Sequence, residues 1–204
     1  MYALVTCGIR GGKKKMDKFY PRSFNMGVNR NVYNALNGFS EMRFGEDIDF
    51  STRIFENHYT ARLFPQAWVW HKRRTDFRKF FKQVFNSGIA RINLTKRHPG
   101  TLKLVHTLPA AFTIGCALLL LLSLIALIGG CPHWWVMLIP FALYALLIFA
   151  DASIQSHSVS VGLRSIIASY VQLWGYGLGF CIAWWNRCVR KKGEFEAFRN
   201  SFYK

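Results

Sequence analysis

Four acidic residues fall within nine positions of the stretch GFSEMRFGEDIDFSTRIFENHY, Gly38 to Tyr59. Glu41, Glu46, Asp47 and Asp49 stand out because the whole chain has 27 Lys and Arg against 10 Asp and Glu, a formal net charge of +17. Carboxylates spaced in this way can sit in a solvated turn, cap a helix, hold a cation, or take a proton from a hydroxyl as a general base. Asp49, with Arg53 one helical turn further on, reads as a cap with a local ion pair. Glu41 reads as a loop acid. The adjacent pair Glu46-Asp47, at a helix start, is left as the candidate for base chemistry.

The elements that must position these acids are short. FNMGVNRNVYNALNGF reads as a turn and a short helix that Gly38 terminates. The helix after Asp47 carries Ile48, Phe50, Ile54 and Phe55 as its apolar residues. TARLFPQAWVWH alternates weakly, is rich in aromatic and β-branched residues, and reads as one or two short strands ending at His71. Beyond it, Phe77, Phe80, Phe81, Val84, Phe85, Ile89 and Ile92 fall on one helical stripe, and Arg78, Lys79, Lys82, Gln83, Asn86 and Arg91 cover the rest. Such a basic amphipathic helix suits a lipid–water interface. The same stripe would also suit packing on a protein core.

Charge then disappears. Residues 1–107 carry 20 Lys and Arg and 7 Asp and Glu, whereas residues 108–204 carry 7 and 3. No Asp, Glu, Lys or Arg occurs from Leu108 to Ala150, a run longer than the roughly 20 apolar residues that cross a bilayer. Leu108–Ile128 reads as one crossing, GGCPHWW as a turn with interfacial tryptophans, and Trp134–Ala150 as the return. Ser165–Trp185 is a third apolar stretch, interrupted by GYGLG and carrying Gln172 and Tyr176, and fits a third crossing, a kinked helix or a re-entrant segment. Arg187, Arg190, Lys191 and Lys192 follow it. The preference of basic residues for the cytoplasmic side asks that this tail and the basic first half share a face, and three full crossings would separate them. The five cysteines show no metal-ligand spacing and read as packing residues. MYALVTCGIRGGKKK has its charges after the apolar run, the reverse of a cleavable signal. The high positive charge comes with no nucleic-acid-binding module, so nucleic acid is not an expected partner.

The run SFNMGVNRNVYNALNGFSEMRFGEDIDFSTRIFENHYTARLFPQAWVWH resembles the acceptor-side half of family-2 glycosyltransferases of the GT-A fold. The matching positions, in order, are Asn25-Met26-Gly27 with Arg30, Asn37-Gly38-Phe39, Gly45-Glu46-Asp47 with Asp49 and Arg53, and His71. Asn37 stands where the family has a first glycine. HKRRTDFRKFFKQVFNSGIARINL and the apolar C-terminal spans are similar to membrane-bound bacterial members. The resemblance implies an α/β partial GT-A half-domain followed by an α-helical membrane region of one interface helix and two to three transmembrane helices. The expected division is an acceptor-side half of the catalytic domain over 1–75, interface helix and linker over 76–107, membrane region over 108–186 and a basic tail over 187–204.

The implied activity is inverting transfer of a sugar from a nucleotide-diphosphate sugar to a glycan or lipid-linked acceptor, with the catalytic part on the cytoplasmic face of the cell membrane. Asp47 would be the base. Glu46, Asn25, Met26, Asp49 and Arg53 would contact the acceptor or support the loop. His71 would ligate the divalent Mg or Mn ion on the donor diphosphate, and Arg73, Arg74 and Arg91 are candidates for diphosphate or lipid-phosphate contacts. The nucleotide-binding strands and D-x-D carboxylates of the family have no counterpart before Gly38, where Asp17 is the only acid. The expectation is therefore a C-terminal part that by itself does not bind the donor. The alternative is a non-catalytic membrane protein or partner subunit whose basic face binds anionic lipid.

Overall fold

Residues 20–42, 44–64, 66–67, 69–70 and 76–194 are described by the structure, a computed structural model. Its helices are α1 (Arg30–Ala35), α2 (Glu46–Glu56), α3 (Phe77–Arg97), α4 (Leu104–Ile128), α5 (Ile139–Ser156) and α6 (Val159–Trp184). A 3-10 turn spans Ser23–Asn25, a 3-10 segment Trp134–Leu138 leads into α5, and a π-helical turn Trp185–Val189 ends α6. The chain divides into two compact units, Met1–Arg73 with Leu94–Thr101, and Arg74–Asn93 with Leu102–Lys204.

The expected α/β half-domain is not formed. Among the described residues every regular element is helical, and there is no strand or sheet. The described part of TARLFPQAWVW is irregular, and Trp70 is 89 % exposed. A strand exists only through the ladder it shares with a neighbour, and among the described residues no ladder joins this stretch to another. Its alternation and its aromatic residues report a preference for a pleated surface, not the presence of that surface.

In the first unit, α1 begins at Asn29, whose side chain accepts the Asn31 amide at 2.9 Å. It ends through two left-handed residues, Asn37 (φ 56°) and Gly38 (φ 63°). Asn enters that region more readily than other residues with a Cβ, so Asn37 can hold the turn without a glycine. At Gly38 the Tyr33 ring occupies the space a Cβ would need. Phe50 of α2 is fully buried, with the Phe39 and Tyr33 rings centred 4.9 and 5.7 Å away.

The second unit contains three stretches long and apolar enough to cross a membrane, Leu104–Ile128, Trp134–Ser156 and Val159–Val189. These make the chain a membrane protein. The GYGLG sequence does not interrupt the last of them, since α6 runs unbroken through it. Its glycines instead lie where neighbouring helices come closest. A Cβ on Gly177 would collide with Thr113 and with the Pro109 carbonyl of α4, and one on Gly179 with the Phe85 carbonyl of α3. Opposite, a Cβ on Gly88 of α3 would strike the Tyr176 carbonyl.

The contacts also set directions. The Thr113 hydroxyl is shared between the carbonyls of Pro109 (2.8 Å) and Leu173 (3.2 Å), while Ala110 joins Phe180 and Ala183 in the core, so α4 and α6 are antiparallel. Tyr170 donates to the Phe141 carbonyl at 3.1 Å, Tyr144 is hydrogen-bonded to Ser169, and Phe149 and Ser153 meet Gly162, so α5 is antiparallel to α6 as well. The amphipathic stripe of α3 is used for packing. Ile89 and Ile92 are buried with Ala110, Phe180 and Ala183, Phe85 packs against this cluster, and Phe81 and Val84 approach Gly175.

Alanine at Gly88 or Gly179 should therefore push apart two backbones that cannot yield locally. We expect each variant to lose roughly 1–3 kcal/mol, seen as a lower melting temperature of the detergent-solubilised chain. Gly115 has open space around its Cα, so Gly115→Ala should leave that temperature unchanged or raise it, because alanine is the better helix former.

Candidate functional site

The acids predicted to matter all lie at the start of α2. Gly45, at φ 87°, is the N-cap. Only glycine takes that conformation without strain, and it offers no side chain to cap the first amides. The first turn carries Glu46, Asp47 and Asp49 instead, which places three negative groups at the positive end of the helix dipole.

Asp47 is 7 % exposed, and its Oδ1 accepts the Ile48 amide at 2.9 Å. The Ser51 hydroxyl donates to its main-chain carbonyl at 2.6 Å, fixing the turn from below. Glu46 Oε1 accepts the Ser23 hydroxyl at 3.4 Å. Ser23 opens the short turn that contains Asn25, and Asn25 Nδ2 donates to the Ala67 carbonyl at 3.4 Å. Met26 is half-buried and extended at the end of that turn.

Asp49, 2 % exposed, has a different task. Its Oδ2 lies 3.0 Å from both Nε and Nη2 of Arg53, and its Oδ1 lies 2.9 Å from Nε2 of His98. Arg53 continues outward from this pair. Nη1 donates to the Leu36 carbonyl at 2.5 Å, Nη2 to the Gly38 carbonyl at 2.7 Å, and the guanidinium lies over the Phe50 ring. The other nitrogen of His98, Nδ1, is 3.0 Å from Glu56 Oε1 at the far end of α2. A ring facing two carboxylates donates to both only when it carries both protons.

Burial by itself pushes the Asp49 carboxyl up. The hydrogen bond from His98, the nearby Ser40 hydroxyl and the Arg53 guanidinium outweigh it and hold the group below its ordinary range. Ser40 acts here by proximity, for its Oγ makes no hydrogen bond of regular geometry.

Of the residues singled out in the sequence, Asp47, Glu46, Asn25, Met26, Asp49 and Arg53 belong to the first unit. Asp49 is engaged with Arg53 and His98, and Arg53 also with the Leu36 and Gly38 carbonyls. Arg91 belongs to the second unit, where its side chain is hydrogen-bonded to Tyr176. His71, Arg73 and Arg74 lie outside the described residues. His98 was not anticipated. It is 49 positions from Asp49, and RHPG at the end of a helix reads only as a helix stop. No group of three or more His, Cys, Asp and Glu that could hold a metal ion occurs among the described residues. His71, the ligand that the resemblance implies for a divalent ion, lies outside those residues.

A carboxyl group whose folded value is depressed contributes stability above its unfolded value, and that contribution is lost as pH falls through the folded one. For Asp49 the loss should thus begin below about pH 4. Proteolytic protection of the segment around α2 should fall over that range in the wild type. Asp49→Asn should flatten the response and should already cost roughly 3 kcal/mol at neutral pH, because Arg53 and His98 lose their partner. An unchanged neutral-pH stability would mean that the clamp contributes nothing.

Comparison with protein-family models, with curated proteins and with solved structures gives no match to this chain.

Proposed function

We propose that this chain is the acceptor-side and membrane portion of an inverting glycosyltransferase. In this reading it transfers a sugar from a nucleotide-diphosphate sugar to a glycan or lipid-linked acceptor at the cytoplasmic face of the cell membrane. The observation that carries the reading is that the segments holding these motifs, apart in sequence, touch one another. Arg53 binds the carbonyls of Leu36 and Gly38, and Glu46 meets the Ser23 turn that leads to Asn25. A second support is Asp47 itself, a carboxylate in the first turn of a helix.

Inverting transfer needs a base within hydrogen-bond reach of the acceptor hydroxyl, to take its proton as the oxygen attacks the anomeric carbon. Asp47 fills that role. Gly45 sets where the helix begins, and the Arg53 clamp keeps the preceding loop from drifting, so the carboxylate is held ready before the acceptor arrives. Glu46 supports the loop through Ser23. The resemblance assigns donor binding to a segment upstream of these motifs, so the assay must use native membranes in which any polypeptide supplying that segment is present.

With a panel of labelled nucleotide-sugars and endogenous acceptor, Asp47→Asn should lower transfer by on the order of 10²–10⁴-fold. Glu46→Gln should cost less, and the amount of inserted protein should stay the same in both. Wild-type transfer by the Asn variant would remove Asp47 from the chemistry. No transfer from any nucleotide-sugar by wild-type membranes would remove the proposed activity.

A further inference from the structure

We infer that α4 and α6 are the segments that pass from one face of the membrane to the other, and that Trp134–Ser156 enters the membrane and leaves it on the face where it entered. The residues before α4 and the basic residues after α6 then share one face.

Two independent observations carry this. The first is direction combined with chain length. α4 and α6 have 25 and 26 residues, about 37 and 39 Å of helix, each more than the roughly 30 Å hydrocarbon core. They lie side by side and antiparallel, with Pro109 and Thr113 against Gly177 and Leu173. The end of α4 and the start of α6 therefore lie on one face. Only His157 and Ser158 separate α5 from α6, a reach of about 10 Å at most, so α5 also ends on that face. The five residues 129–133 span at most about 18 Å and cannot carry the chain across. Had Trp134–Ser156 crossed fully, two residues would have to bring the chain back through the whole bilayer.

The path inside agrees. The Ser123 hydroxyl donates to the Trp134 carbonyl at 3.1 Å, one to two turns before α4 ends. Pro140 and Phe141 then line a common recess with Cys116 and Leu119, deeper along α4. From there α5 runs outward along α6, from Tyr170 beside Phe141 to Gly162 beside Phe149 and Ser153.

The second observation is charge. GGCPH and Ser156-His157-Ser158, the connections on the far face, contain no Lys or Arg, and Arg164 is the only basic residue from 129 to 164. Lys96, Arg97 and Lys103 precede α4, and Arg187, Arg190, Lys191 and Lys192 follow α6. Basic residues collect on the cytoplasmic side. Two crossings place both groups there, and three would split them.

The test is side-specific labelling of the full chain in sealed membrane vesicles with a membrane-impermeant maleimide. One form keeps Cys131 and has its other cysteines replaced by serine. Three further forms have Cys131 replaced too and carry a single new cysteine, by Lys103→Cys, Ser156→Cys or Gly193→Cys. All three positions are exposed. Cys131 and Ser156→Cys should label from one side, and Lys103→Cys and Gly193→Cys from the other. Gly193→Cys labelling together with Cys131, or Ser156→Cys together with Lys103→Cys, would overturn the inference. Should the serine background fail to insert, compartment reporters fused to the two ends of the wild-type chain give the same reading. Both ends should report one compartment, and opposite readings would overturn it.

Discussion

Four absent side chains on α6 govern how the membrane unit is built. Hydrocarbon offers helices no hydrophobic reason to associate, because lipid tails are as apolar as leucine. What remains is close contact, and contact improves as backbones approach. Gly162 makes room for α5, Gly177 for α4, and Gly175 and Gly179 for α3. Gly88 returns the favour from α3, so that helix meets α6 main chain to main chain. A single helix thus serves three neighbours because it presents small residues to each of them. The phenylalanines and isoleucines of α3 fill the space around these crossings and do not create them.

The first unit follows other rules. Its organising group is a buried carboxylate, and water has been traded for Arg53 and His98 around Asp49. Buried ion pairs contribute less to stability than their Coulomb attraction suggests, because desolvation offsets much of it. They do impose geometry. Arg53 can satisfy Asp49, Leu36 and Gly38 together in only one arrangement of α2 against the end of α1. Asp47 lies two positions earlier and about 200° round the helix. Just over half a turn of helix therefore separates a supporting acid from a candidate reactive one.

What the sequence showed depended on how local the physical cause was. The charge-free run from Leu108 announced the membrane helices, since the loss of charge is itself the cause of insertion. The start of α2 was legible from its acids and the end of α1 from Gly38, because each signal is carried by one or two residues. Asp49 with Arg53 was legible as an i, i+4 pair. The strands expected at TARLFPQAWVWH are absent from the described residues, because pairing depends on a partner that no local pattern guarantees. GYGLG misled in the other direction: glycine breaks helices in water, yet inside a membrane the same residue is how helices meet. His98 was out of reach, its role resting on two carboxylates more than 40 positions away.

The antiparallel pairing of α5 with α6 has a consequence in time. A ribosome adds about 5–20 residues per second, so the 26 residues of α6 take one to several seconds to follow α5. Until Gly162, Ser169 and Tyr170 have been made, Tyr144, the Phe141 carbonyl and Phe149 face lipid or the insertion machinery instead. The segment cannot reach its final depth until its successor exists.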